Sequence, residues 1–109
     1  MARLLFQDHF EFSSDGGAIH TDLRPPFPVE PLVDNATAVL EGFRIQFDNR
    51  NDHELGRLVI NLTALLSTGT PQQVTVTGDF ALRDWSGGDD DEIGDDPFSG
   101  SVNYAVFVE

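Results

Sequence analysis

The chain has 109 residues and a mass of 12.0 kDa, the size of one domain, and 39% of its residues are hydrophobic, including nine Phe, which suffices for a buried core. Six Arg and no Lys stand against 19 Asp and Glu, and the net charge of −13 argues against duplex nucleic acid and anionic membrane surfaces as partners. With no Cys there is no disulfide, no thiolate nucleophile and no Cys-ligated zinc.

In chain order, Met1 to His9 holds one Arg and the short apolar run Leu4-Leu5-Phe6, well below the roughly 7–15 apolar residues of a signal peptide. No stretch approaches the ~20 apolar residues of a membrane-spanning helix. The expectation is a cytoplasmic protein without membrane insertion, leaving the cell, if it does, by lysis, within a particle or through specialised export. Leu4, Phe6, Phe10 and Phe12 share a parity and predict a first strand. Residues 13–38 contain Gly16, Gly17, Pro25, Pro26, Pro28 and Pro31. Because Pro has no backbone donor, Arg24 to Pro31 is expected to be extended, to stay out of any central strand position and to cross from one sheet to another.

Val39, Phe43, Ile45 and Phe47 alternate with Glu41, Arg44 and Gln46, imperfectly at Leu40 and Gly42, and predict another strand. Asp48-Asn49-Arg50-Asn51-Asp52 is turn chemistry and predicts a hairpin. Glu54 to Leu66 matches a helical stripe at Leu55, Leu58, Val59, Leu62 and Leu66. A strand fits better, because Leu58, Ile60, Leu62, Ala64 and Leu66 share one parity and Gly56, Asn61 and Thr63 are poor helix residues. Thr68-Gly69-Thr70-Pro71 predicts a second hairpin.

Gln72 to Trp85 is the clearest strand: Val74, Val76, Phe80 and Leu82 lie on one parity, Thr75, Thr77, Asp79 and Arg83 on the other. Gly78, within the inward series, suggests a bulge. Trp85 to Gly100 reads as a long acidic hairpin loop, of the length that in small domains is usually functional or disordered. Ser101 to Glu109 alternates again, with Val102, Tyr104, Val106 and Val108 on one face and Asn103, Ala105 and Phe107 on the other, as in a central strand covered on both sides. At least five strands with turn signals between them predict an all-β fold: a small antiparallel β-sandwich, jelly-roll or lectin-like, with a barrel as the other closed solution.

Seven of the 19 acids fall between Asp84 and Asp96, and the rest of the chain has 12 acids against its six Arg. That concentration is more lopsided than halophilic adaptation of a whole surface would produce. Asp84, Asp89, Asp90, Asp91, Asp95 and Asp96 are candidate Ca²⁺ ligands, since hard cations take six to eight oxygens. The spacing is not that of an EF-hand, because Ile93 stands where a ligand belongs. A solvated loop and a basic protein partner are the other readings of the same residues. Arg83, Trp85 and Phe98 flank the loop and make a candidate sugar site, with rings stacking on a pyranose face and carboxylates accepting hydroxyls.

His9, His20 and His53 show no H-x-H, H-E-x-x-H or facial-triad spacing, and Asp8 and His9 point to opposite faces of a strand. No G-x-S-x-G and no phosphate cradle is present, so catalysis is not expected. The sequons at Asn35 and Asn61 read as chance matches, the second lying within an expected strand. Two functional expectations result. The first is a self-associating assembly subunit, a homo-oligomer or part of a larger particle, with Pro25, Pro26 and Phe27 on an exposed interlocking arm. The second is a carbohydrate-binding module, calcium-assisted through residues 84–98.

Overall fold

Period-2 alternation of apolar side chains becomes seven strands in the computed structural model, which describes residues 2–48, 55–84 and 96–109. They are β1 (Arg3–Ser14), β2 (Ile19–Asp22), β3 (Phe27–Pro28), β4 (Ala36–Phe47), β5 (Leu55–Leu66), β6 (Gln73–Asp84) and β7 (Phe98–Val108). Every pairing is antiparallel. One sheet runs β1-β7-β4; in the other, β6 has β5 along one edge and β2 followed by β3 along the opposite edge. The two sheets pack face to face as a β-sandwich and, among the described residues, do not close into a barrel. No helix long and apolar enough to cross a membrane occurs among these residues.

The central strands supply the core. Val74, Val76, Phe80 and Leu82 of β6 face Phe98, Val102, Tyr104, Val106 and Val108 of β7, and Phe12, Leu23 and Val29 complete the cluster. Each such side chain contributes about 1.5–3 kcal/mol when fully withdrawn from water. Strand β7 is buried on its outer face as well, at Ser101 and Ala105. Small residues fit there because long side chains of the flanking strands meet above them: Gln7 of β1 donates across β7 to the Glu41 carboxylate of β4 at 3.1 Å.

Residues 15–35 lead from the first sheet to the second and back, as the Pro content requires. Leu23 N–H donates to Val76 O and Val29 N–H to Gln72 O, each at 2.9 Å, and the buried Gln72 side chain bonds both backbone groups of Val33. Phe27 therefore does not stand on a free arm, as the sequence led us to expect. It pairs with Val74 and its ring packs on Phe6, 4.6 Å between centroids, while Pro25 and Pro26 remain exposed.

Three further expectations are corrected. The segment at 48–52 does not close a hairpin, because β4 pairs with β7 whereas β5 pairs with β6. The 85–97 segment likewise connects the two sheets rather than turning a hairpin: β7 is already flanked by β1 and β4, leaving β6 no edge to pair with. Gly78 marks no bulge, since the β5–β6 register runs through it unbroken. Its role is steric: a Cβ there would lie 2.7 Å from Phe80 Cζ and 3.1 Å from Leu23 Cδ2. The irregularity at Leu40 and Gly42 is a real bulge, at Glu41. The hairpin at 68–71 joins β5 to β6 as expected.

Candidate functional site

Of the residues singled out for sugar binding, Phe98 is fully buried, inward on β7 against Phe12, and is core rather than a stacking platform. Arg83 lies on the outward row of β6, while Trp85 lies outside the described residues. Of the candidate calcium ligands, Asp89, Asp90, Asp91 and Asp95 also lie outside them; Asp84 ends β6 and Asp96 precedes β7. No group of three or more His, Asp or Glu side chains capable of holding a metal occurs among the described residues.

The histidines do not converge. His9 points outward from the first sheet, with Nδ1 2.6 Å from Asn103 Oδ1 and Nε2 3.3 Å from Glu11 Oε2. These two acceptors hold its pKa above the ordinary 6.5, Asn103 more than Glu11. Its neighbour Asp8 points inward, as strand alternation demands, and accepts from Arg24 Nη1 at 3.0 Å. His20, in β2, points outward from the second sheet and pairs with Asp79 across the β2–β6 register. His53 is outside the described residues.

Beside His20 and Asp79 the outer face of the second sheet forms an open hollow of about 390 Å³. Val59 and Ala81 form its floor, and Arg57 and Arg83, directly opposite each other in the β5–β6 register, form one wall. Two guanidiniums, an imidazole and a carboxylate over an apolar floor can bind a small polar ligand. They offer no nucleophile with an adjacent base.

The two rims of the sandwich differ sharply. On one side β1 faces β2 and β3. There the Arg24 guanidinium lies 4.5 Å above Phe6 and 4.9 Å above Phe27 and pairs with inward-facing Asp8. That rim is sealed by aromatic rings and a cation held over them. On the other side β4 lies against β5, and among the described residues nothing comparable covers them. Leu40 and Phe43 of β4 and Leu58 of β5 occupy inward-facing register positions, opposite Tyr104, Val102 and Leu82, yet are 39%, 51% and 38% exposed. Val39 and Leu65, facing outward on the same two strands, add to this apolar rim. The sequence placed Phe43 and Leu58 in core rows. The signal that sets this rim apart was nonetheless present: no Asp or Glu occurs from Leu55 to Gly78, in a chain with 19 of them.

Comparison with protein-family models, with curated proteins and with solved structures found no match.

Proposed function

We propose that the protein is a non-enzymatic β-sandwich subunit that self-associates into a homo-oligomer or a larger assembly, acting within the cytoplasm or in a particle released from it. The observation that carries this reading is the open rim, where Leu40, Phe43 and Leu58 face the interior and still contact water. Contiguous apolar surface at a strand edge, on a molecule otherwise covered with carboxylates, is the usual mark of a contact site with another chain. Sedimentation velocity over a range of protein concentrations, at low and high salt, with calcium or with a chelator, tests it. The expected result is a defined oligomer that strengthens with salt, because screening relieves repulsion between chains of charge −13, and that ignores the chelator. A monomer under every condition overturns the reading.

A carbohydrate-binding module is the second reading, supported by the hollow beside Arg83, where His20, Asp79 and Arg57 surround an apolar floor. A glycan panel decides it: binding that is lost in Arg83→Ala supports a sugar site, and no glycan bound, or binding unchanged in that variant, overturns it.

A further inference from the structure

We infer that two copies of this chain join through the edge of β5 that is unpaired among the described residues, in an antiparallel two-fold pairing that continues the β5–β6 sheet into the second copy. The inference rests on the assembly reading and names the surface that performs it.

The four sheet edges are not equivalent. Unpaired edges invite pairing with another chain, and natural proteins blunt them with bulges, inward charges, Pro or short strands. The edge strand β1 has a register shift between Leu4 and Phe6 and carries Asp8 on its inward row. The edge opposite β5 is split between β2 and β3, of four and two residues, the second ending in Pro28. Strand β4 is interrupted by the bulge at Glu41. Strand β5 has one such device, a register shift between Leu55 and Arg57 at its very start, and none beyond it. From Arg57 to Leu66 its register with β6 is continuous, and Leu58 to Leu66 contains no charged residue and no Pro.

Charge selects the same edge. Two molecules of charge −13 repel each other wherever their carboxylates approach, and the acid-free stretch from Leu55 to Gly78 is the longest segment on which a second copy meets no Asp or Glu. An unrelated basic partner would instead be drawn to the acidic surface, so the uncharged edge favours a copy of the chain itself.

The pattern is also self-complementary. With Leu62 of one copy opposite Leu62 of the other, Leu58 meets Leu66 and Ile60 meets Ala64 on the inward face. Asn61 meets Thr63 and Val59 meets Leu65 on the outward face. Inward rows stay inward, as pairing of two half-buried strands requires, so Leu58 gains cover and the two cores become one layer. A two-fold axis through Leu62 makes this contact closed, giving a dimer rather than a fibre.

The test is sedimentation velocity on Thr63→Lys and Leu65→Lys, two outward and exposed positions, beside Val39→Lys on the β4 edge as control. The expected result is loss of the dimer in both β5 variants and its retention in the control, with unchanged far-UV circular dichroism. Disulfide trapping reads the same surface without added charge, since the chain has no Cys of its own. Asn61→Cys mixed with Thr63→Cys should give a cross-linked heterodimer, and neither variant alone should cross-link, because equivalent positions then lie on diagonals of about 7–8 Å. An oligomer that survives both lysines, or a mixture that fails to cross-link, overturns the β5 interface and leaves the assembly reading standing with another surface. A wild-type chain that never associates overturns both.

Discussion

Replacing Gly78 by Ala adds a single methyl group, and the structure gives a definite cost for it. The new Cβ would lie 2.7 and 2.9 Å from two ring carbons of Phe80 and 3.1 Å from Leu23 Cδ2. Carbon pairs settle at about 3.5–4.0 Å, so the Phe80 ring must move by roughly 1 Å. It has nowhere to go: Phe80 is fully buried, and Phe12 stacks on it at 4.2 Å with 12° between planes. Forcing an extra carbon into such a site costs typically 1–3 kcal/mol, a substantial share of the roughly 5–15 kcal/mol that holds a domain of this size. Urea unfolding at one fixed protein concentration measures it as a fall in midpoint at unchanged slope. Gly69→Ala is the internal control, since nothing lies within 4 Å of its added Cβ; its midpoint should stay level or rise slightly. Combining Gly78→Ala with Phe80→Leu should cost less than the sum of the two single changes, because the smaller side chain vacates the contested space. Strict additivity, or a Gly78→Ala midpoint equal to wild type, would refute the assigned role of Gly78.

Three other predictions concern ionisable groups. Tyr104 is buried with its hydroxyl unpartnered among the described residues, so Tyr104→Phe should leave stability at pH 7 unchanged or raise it by up to about 1 kcal/mol in denaturant unfolding. Burial pushes the Tyr104 pKa up from 10.0 to about 12. A pKa raised on folding leaves stability intact below the unfolded value, so wild type should lose roughly 2–3 kcal/mol between pH 10 and 12 by a route that Tyr104→Phe lacks. The raised pKa of His9 has the same sign in a lower window: its contribution is complete below pH 6.5 and disappears as pH rises through the folded pKa, so the difference between wild type and His9→Gln should shrink toward alkaline pH. The Asp8–Arg24 pair is about one-third exposed, so Asp8→Asn should cost no more than about 1 kcal/mol. Arg24→Ala should cost more, because it also uncovers Phe6 and Phe27, and equal costs would show that the cation over those rings adds nothing.

Strand positions were legible because alternation is a local property: Val74, Val76, Phe80 and Leu82 announce an inward row whatever their partners. The strands' partners were not. The turn chemistry of Asp48 to Asp52 predicts that the chain reverses, but whether the next strand joins the same sheet depends on which edges are taken by β7, which begins only at Phe98. Gly78 was read as a break because its steric partner, the Phe80 ring, is pressed into place by Phe12 from the other sheet. Phe27 and Phe98 are aromatic residues next to loop chemistry, and sequence alone cannot distinguish a ring that greets a ligand from one that seals a core. Of the described residues of the proposed sugar site, Arg83 lies beside a hollow and Phe98 does not, and the open rim escaped notice because Leu40, Phe43 and Leu58 look like any other core residues.

The placement of β7 between β1 and β4 governs the order in which the chain can acquire its shape during translation. Arg3 waits for Val108, and Ala36 waits for the same residue, so one whole sheet has no hydrogen-bonded form until β7 has left the ribosome. The β5–β6 hairpin needs only a short loop, whereas the β1–β7 ladder joins residues about a hundred positions apart and is slow by its topology. Between the emergence of β6 and that of β7 the second sheet can assemble from β2, β3, β5 and β6 while β1 and β4 are still without their shared partner.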